Sequence, residues 1–334
     1  MNRRKFIQNT SLLGLSTPFL SSFSSPTQEI IKPRALPKNG TVQLITPASA
    51  LTRTAFENTL ENIDALGFQA KYSDNIRVRS GFLSGTDEQR KDDLMNAFKD
   101  DSVDGIICAR GGYGTGRLLP LIDFDTIREN AKVFVGFSDI TALHLAFYQM
   151  AGLVSFHGPV GASAVNDFNT DYLFDILSKG KKVKIENDES SPIRSGLATG
   201  PMIGGNLSLL TSLMGTPFDI SYDDHILFIE EVGESTYRVD RMLTQLLNAG
   251  KLDRIRGIAL GYFTNCDTKE DDPFFDYSTS LDEVFKDRFK DLDIPIAKGF
   301  PIGHESHNAT VPIGIPAELD ADKGQIKFLE SAVL

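Results

Sequence analysis

The sequence has few cysteines and histidines, and its positive charge is scarce. Two cysteines in 334 residues, Cys108 and Cys266, could pair with each other, but they are too few for a disulfide framework or a cysteine-based metal site. There are 34 basic residues against 45 acidic ones, which gives a net charge of −11 at pH 7. No basic stripe follows the first few residues, and this absence argues against nucleic acid as a partner.

Long apolar runs are also missing, and the N-terminal segment 1–26 shows this most clearly. Its basic start, "NRRKFI", precedes a short apolar stretch that is too short and too polar for a membrane-spanning helix. The pattern resembles a twin-arginine export signal, although no A-x-A cleavage site precedes Pro26. An export signal predicts a periplasmic or envelope location, whereas a plain basic tail predicts a cytoplasmic one.

From residue 40 onward, short apolar runs alternate with amphipathic helical patterns. "TVQLITPA", "DGIICA" and "KVFVGF" have the character of buried strands. Regular alternation of strand and helix predicts an α/β fold with a parallel sheet, whose site lies beyond the carboxyl ends of the strands. We expect this domain to span 40–163, a polar join to span 164–199, and a second domain to span 200–334. The second domain has fewer helices, which favours an α+β or barrel-like sheet.

Helix starts are marked by small polar residues. Thr54 with Glu57 and Thr86 with Gln89 each have the spacing of a capping box. Asn206 is placed to cap a later helix.

Ser138 lies in "VFVGFSDITALH", between a buried strand and a helix. Its hydroxyl is placed either to cap the helix or to act as a nucleophile at a sharp strand-to-helix turn. "GFSDI" lacks the second glycine of the G-x-S-x-G elbow, so the segment is not a standard α/β-hydrolase signature.

The glycine-rich loop, "ARGGYGTGRLLP" at 109–120, follows another buried strand. It lacks the ending of a phosphate-binding loop and the spacing of a dinucleotide fingerprint. Its glycines indicate either turns with positive φ or backbone N–H groups that approach a ligand closely. In the second case Arg110 is a candidate for holding a substrate carboxylate.

Acids and histidines with possible roles lie in the second half. Glu230 and Glu231 end the apolar run "ILFI", and strand alternation predicts that one faces solvent and the other a cleft. His304 in a Pro/Gly-rich loop is a candidate base or a surface histidine. His304 and His307 form H-x-x-H, but no third ligand has suitable spacing, so we expect no metal and no cofactor.

Taken together and in this order, several blocks resemble the serine LD-carboxypeptidase family, which includes murein tetrapeptide carboxypeptidases and microcin-immunity peptidases. The resemblance runs from about residue 41 to 325. The blocks are "TPASA", "RGGYGTGRLLP", "GFSDITALHLA" with "HGP", "GGNLSLL" with "GTPFD", and "ILFIEEVGESTYRVDRMLTQL" with "GHESHN". The resemblance implies an N-terminal flavodoxin-like domain, a C-terminal domain with a small barrel-like sheet, and a homodimer.

The resemblance also implies site residues and an activity. It makes Ser138 the nucleophile, His304 the base and Glu230 the acid that orients it, with oxyanion N–H groups from Gly112 and Asp139. The implied reaction releases the terminal D-alanine of a peptidoglycan tetrapeptide. Family members that recycle murein work in the cytoplasm, whereas "NRRKFI" points to export.

Two other hypotheses fit the residues. An α/β-hydrolase-like esterase shares the chain order Ser, Glu, His, and an exported solute-binding protein is also built from two α/β lobes. The resemblance leaves open whether the substrate is a muropeptide or a peptide antibiotic.

Overall fold

A computed structural model describes residues 29–187, 192–268 and 279–334. The predicted export signal lies outside these residues. Within the described part of the chain, no helix has the length and apolar character needed to cross a membrane.

The first sheet has six strands in the order β2-β1-β3-β4-β5-β12. Strands β1 to β5 are parallel, and β12 pairs antiparallel with β5. The order 2-1-3-4-5 is that of flavodoxin-like sheets, as expected. The strands, numbered in chain order, are β1 (Thr41–Ile45), β2 (Gln69–Tyr72), β3 (Gly105–Cys108), β4 (Val133–Gly136), β5 (Phe156–His157) and β12 (Val311–Pro312).

The second sheet has eight strands in the order β6-β14-β13-β8-β9-β10-β11-β7. Strands β8 to β11 are parallel, and the outer strands pair antiparallel. The mixed α/β class is therefore confirmed, whereas the barrel-like detail is not. These strands are β6 (Lys184–Glu186), β7 (Pro192–Arg194), β8 (Leu197–Asn206), β9 (Ile226–Val232), β10 (Gly257–Thr264), β11 (Ile296–Lys298), β13 (Pro316–Asp320) and β14 (Gln325–Phe328).

Helices cover the sheets. A π-helical turn, Phe147–Ala151, continues the fourth helix, and a short 3₁₀ turn, Ser138–Ile140, precedes it. The α-helices are α1 (Arg53–Ala65), α2 (Asp87–Lys99), α3 (Phe124–Glu129), α4 (Thr141–Ala146), α5 (Asp167–Leu177), α6 (Leu207–Ser212), α7 (Thr236–Asn248) and α8 (Leu281–Phe289).

Two of the three predicted caps are correct. Thr86 and Gln89 form a capping box at α2, and the Asn206 side chain caps α6. The Thr54 prediction is wrong, because Thr52 caps α1 by accepting a hydrogen bond from the Ala55 N–H at 3.1 Å.

The two halves of the chain interlock. Strand β12 comes late in the sequence but completes the first sheet, through the pairs Val311–His157 and Pro312–Phe156. The expected join, 164–199, holds α5, β6, β7 and the start of β8. Cys108 and Cys266 are both buried free thiols, so their pairing is excluded.

Candidate active site

Ser138 follows β4 directly and has a strained backbone. Its φ angle of +66° lies in the left-handed region, which costs a non-glycine residue about 1–3 kcal/mol. The N-cap position of the following turn is Phe137, and no side chain caps it. The Ser138 hydroxyl therefore does not cap the helix. Instead, the strained turn exposes it at the carboxyl edge of the first sheet.

The glycine-rich loop passes next to this serine. A Cβ atom added to Gly111 would lie 3.0 Å from the Ser138 Cβ. The next residue, Gly112, has φ +114°, and a Cβ there would be 2.4 Å from the Ser49 Oγ. Both positions therefore require glycine for close approach. Gly111 therefore lies beside the nucleophile candidate, and Gly112 follows it directly in the same loop.

The Asp139 side chain fastens the loop to the serine turn. Asp139 is buried; its carboxylate accepts the Thr115 N–H at 2.8 Å, and its carbonyl accepts the Thr115 hydroxyl at 2.5 Å. The Asp139 N–H lies in the first turn of a helix, where backbone N–H groups have no intrahelical acceptor. That group is therefore free to serve as a donor to a ligand.

Arg90 holds the loop from the other side. Its buried guanidinium donates to the Pro47 carbonyl at 2.5 Å and the Gly114 carbonyl at 2.9 Å, and it pairs with Asp87. Arg90 has no local sequence signal, because its contacts join segments that lie far apart in the chain.

His304 and Glu230 form the second half of the site. The His304 Nδ1 lies 2.6 Å from Oε2 of Glu230, which is 0% exposed. Burial raises the pKa of the Glu230 carboxyl, and its hydrogen bond with His304 opposes that shift. Gly303 has φ +124°, and a Cβ there would lie 2.8 Å from Glu230 Oε2, so glycine is required beside the pair.

Glu231 has a structural role, and the prediction that one of the two acids faces solvent is wrong. Glu231 is 2% exposed. Its Oε1 accepts hydrogen bonds from the Asn206 side chain and the Val232 N–H, both at 2.8 Å. Its Oε2 accepts the N–H and the hydroxyl of Ser208 at 2.8 and 2.7 Å. Four donors thus satisfy a carboxylate at the start of α6.

The histidine loop, residues 303–308, brings the imidazole to the residue that precedes the serine. Strand β12 follows this loop and places it beside the first sheet. The ring of His304 packs against Phe137, the residue before Ser138, with ring centroids 4.8 Å apart and ring planes tilted by 55°. No hydrogen bond joins Ser138 to His304 within the described residues. The structure thus joins two of the three expected residues directly, His304 and Glu230, and places the His304 ring against the residue that precedes Ser138.

Comparison with known proteins identifies the family. The LD-carboxypeptidase N-terminal domain matches residues 42–158, and the LD-carboxypeptidase C-terminal domain matches residues 199–319. The chain belongs to the LD-carboxypeptidase family. It is a serine-type carboxypeptidase, and the family assignment replaces both the esterase and the solute-binding hypotheses.

Relatives match along most of this carboxypeptidase. A probable murein peptide carboxypeptidase of Bacillus subtilis is 40% identical over 298 residues, covering 86% of this chain and 91% of that protein. A murein tetrapeptide carboxypeptidase of Pseudomonas aeruginosa is 32% identical over 299 residues, covering 86% and 95%. The crystal structure of a muramoyltetrapeptide carboxypeptidase from Oxalobacter formigenes is 29% identical with a TM-score of 0.74, covering 86% and 97%.

Arg110 and His307 are both exposed side chains. The exposed Arg110 donates one hydrogen bond to the Ala50 carbonyl at 3.1 Å. The exposed His307 stacks on Phe168, with ring centroids 4.5 Å apart. Across the described residues, no group of three or more His, Cys, Asp or Glu side chains is arranged to hold a metal ion.

Proposed function

We propose that this carboxypeptidase cleaves the L,D-peptide bond that releases the terminal D-alanine of a peptidoglycan tetrapeptide. Ser138 is the nucleophile, His304 the general base and Glu230 the acid that orients it. The observation that carries the proposal is the strained Ser138 turn, whose preceding residue Phe137 packs against the His304 ring of the His304–Glu230 pair. The names of the Bacillus, Pseudomonas and Oxalobacter relatives support the substrate class.

Each group has a defined chemical task. A serine hydroxyl is a poor nucleophile until a base takes its proton, so the Nε2 of His304 must accept it during attack. The Nδ1–H of the same ring donates to Glu230, which fixes the tautomer and stabilises the imidazolium. The acyl-enzyme forms when His304 returns that proton to the leaving D-alanine amine. Water then hydrolyses the ester by the same steps.

Backbone N–H groups of Gly112 and Asp139 are the proposed oxyanion donors. Both flank Ser138, one from the glycine-rich loop and one from the first turn after the nucleophile. Such a donor is worth about 2.7–4 kcal/mol in the transition state. We further propose that the exposed guanidinium of Arg110 binds the free carboxylate of the substrate, since a carboxypeptidase must recognise that terminus.

Defined muropeptides test the proposal. The purified enzyme is incubated with tripeptide, tetrapeptide and pentapeptide stems, and the products are identified by mass spectrometry. We expect loss of one D-alanine from the tetrapeptide only, and no turnover by Ser138→Ala at an unchanged melting temperature. Turnover by the folded Ser138→Ala variant would refute the nucleophile assignment. Cleavage of a peptide antibiotic but of no muropeptide would refute the substrate class.

We also propose export and dimerisation. The "NRRKFI" segment directs the folded enzyme to the periplasm or envelope, where it trims stem peptides. Replacing Arg3 and Arg4 together by lysine should retain the protein in the cytoplasmic fraction, and unchanged export would contradict the signal. Light scattering coupled to size exclusion should give twice the chain mass of 36.7 kDa.

A further inference from the structure

His157 is a buried histidine that the proposed mechanism does not use. It lies at the end of β5, is 0% exposed, and neither ring nitrogen has a hydrogen-bond partner within the described residues. An unsatisfied buried polar group costs about 1–3 kcal/mol, so such a ring needs an explanation.

The neighbouring His144 shows what a purely structural histidine looks like in this core. It is equally buried, but its Nδ1 and Nε2 lie 2.8 Å from the Ser155 hydroxyl and from the Gly136 carbonyl respectively. Both of its nitrogens are therefore satisfied by the fold. The two ring nitrogens of His157 have no such partners within the described residues, so His157 differs from His144 in this respect.

The ring of His157 contacts the supports of the proposed triad. It packs edge-on against Phe137, with centroids 5.9 Å apart, and against Phe228, with centroids 5.0 Å apart. Phe137 precedes the proposed nucleophile and packs against the His304 ring. Phe228 precedes Glu230 by two residues, so both side chains lie on the same face of β9. His157 therefore lies between the two halves of the site.

Other unsatisfied polar atoms lie in the same region. Oε1 of Glu230 and the Thr310 hydroxyl are buried and meet no hydrogen-bond partner at bonding distance within the described residues, while the nearby Asn206 side chain opposes the rise that burial causes in the pKa of Glu230. Thr310 precedes Val311, which pairs with His157, and its hydroxyl would lie 2.9 Å from a Cβ added to Gly158. The hydroxyl and a neutral imidazole supply both donors and acceptors, while the carboxylate oxygen accepts. The His157 ring, the Thr310 hydroxyl and Glu230 Oε1 therefore offer donors and acceptors that match one another.

Burial keeps the His157 ring neutral. It lowers the pKa of His157 well below the usual value, and the nearby His144 and His304 act in the same direction. A neutral imidazole carries one donor and one acceptor, which suits a relay between a hydroxyl and a carboxylate.

We propose that His157 is a positioning residue that acts through a buried hydrogen-bonded network, with Thr310 and water, on Oε1 of Glu230. Buried water commonly bridges polar groups of this kind. The network holds the carboxylate in the orientation that receives the His304 Nδ1–H. This inference rests on the proposed function, because it assigns a support to the same triad.

Isosteric variants separate a polar role from a packing role. His157→Phe keeps a ring of similar size and removes both nitrogens, whereas His157→Gln keeps a donor and an acceptor. We expect His157→Phe to lower kcat about 10- to 100-fold at unchanged KM and unchanged melting temperature. His157→Gln should stay within about threefold of the wild-type kcat. His307→Phe, at an exposed histidine outside the proposed triad and network, is the matched control and should leave kcat unchanged.

Thr310→Val extends the test to the second member of the network. It should lower kcat as His157→Phe does, and the double variant should lose little more than either single one, because both remove the same network. Wild-type kcat in folded His157→Phe, equal losses in His157→Phe and His157→Gln, or fully additive losses would each overturn the proposal.

A spectroscopic readout keeps the inference separate from the substrate assignment. The Nδ1 proton of His304 should give a far-downfield proton resonance in the free enzyme, and His157→Phe should shift or broaden it while His307→Phe leaves it in place. A shift in an enzyme that cleaves no tetrapeptide would support the network and refute the proposed substrate. An unmoved resonance in His157→Phe would overturn the network whatever the substrate.

Discussion

Replacing Glu230 by glutamine gives a sharp test of the proposed triad, because it separates activity from stability. The change keeps the size of the side chain and removes its charge. The Nδ1 of His304 then faces either an amide oxygen, which holds the ring but does not stabilise its positive charge, or an amide N–H, which favours the wrong tautomer. Both outcomes weaken the general base.

The expected loss is large. In serine proteases, replacing the triad acid by its amide lowers kcat about 10⁴-fold. The contact here, 2.6 Å to a fully buried carboxylate, has the same character. We therefore expect kcat/KM to fall about 10³- to 10⁴-fold, which corresponds to about 4–5.5 kcal/mol of transition-state stabilisation.

The stability of the Glu230→Gln variant should be kept or increased, although its activity falls. Burial raises the pKa of the Glu230 carboxyl above its ordinary value. A raised pKa means that the folded state favours the protonated form, and that this contribution to stability is lost as the pH rises through the folded pKa. Glutamine is neutral at every pH, so the Glu230→Gln variant does not lose this stability as the pH rises. The melting temperature of Glu230→Gln at pH 7 should therefore equal or exceed that of the wild type.

Glu231→Gln is the matched control from the adjacent position. Four donors surround this carboxylate, and an amide group would set its own N–H against some of them. We expect a loss of about 3 kcal/mol in the free energy of unfolding, seen as a fall in melting temperature, with kcat largely kept in the folded fraction. Steady-state kinetics with thermal unfolding of both variants checks this. Strong activity in Glu230→Gln, or inactivity of Glu231→Gln at unchanged stability, would refute the assignment of roles.

Three further predictions concern the surroundings of the site. Gly303→Ala should lower both stability and kcat, because its Cβ would lie 2.8 Å from Glu230 Oε2 in a backbone with φ +124°; calorimetry and kinetics would detect this. Gly112→Ala should lower kcat about 10²- to 10³-fold, because the added Cβ would lie 2.4 Å from Ser49 Oγ and shift the backbone that carries the proposed oxyanion N–H, whereas Gly116→Ala, with nothing within 4 Å, should be neutral. Dialysis against a chelator should leave the rate unchanged, since the proposed mechanism uses no metal, and loss of activity restored by a metal would contradict it.

Local sequence patterns predicted many of the strands and helices but not the long-range contacts between them. The apolar runs that form β1, β3 and β4 are buried strands, and their alternation with helices predicted the parallel sheet. Strand β12 has two residues, too few for any periodic signal, yet it places the histidine loop. The capping-box spacing of Thr54 and Glu57 favoured Thr54 as the cap of α1, but the helix begins two residues earlier and Thr52 caps it.

The sequence allowed the candidate residues of the site to be predicted, but not their arrangement in space. Strand alternation separated Glu230 from Glu231 but did not indicate what covers each face, so the burial of Glu231 was missed. The Glu230–His304 contact joins residues 74 positions apart, which no local pattern specifies. The roles of these residues came from the resemblance, and those roles remain predictions.

The structure places two energetically unfavourable features at the proposed site, and the rest of the fold must offset the cost of both. A left-handed serine and a carboxylate buried in the core each cost free energy, and neither improves packing. The surrounding fold must offset these costs through contacts away from the triad, such as the four hydrogen bonds to Glu231 and the bonds of Arg90 to two carbonyls. Substitutions at the proposed triad should therefore abolish activity without loss of stability. Substitutions at the supporting residues Glu231 and Arg90 should instead lower stability while the folded fraction keeps its activity.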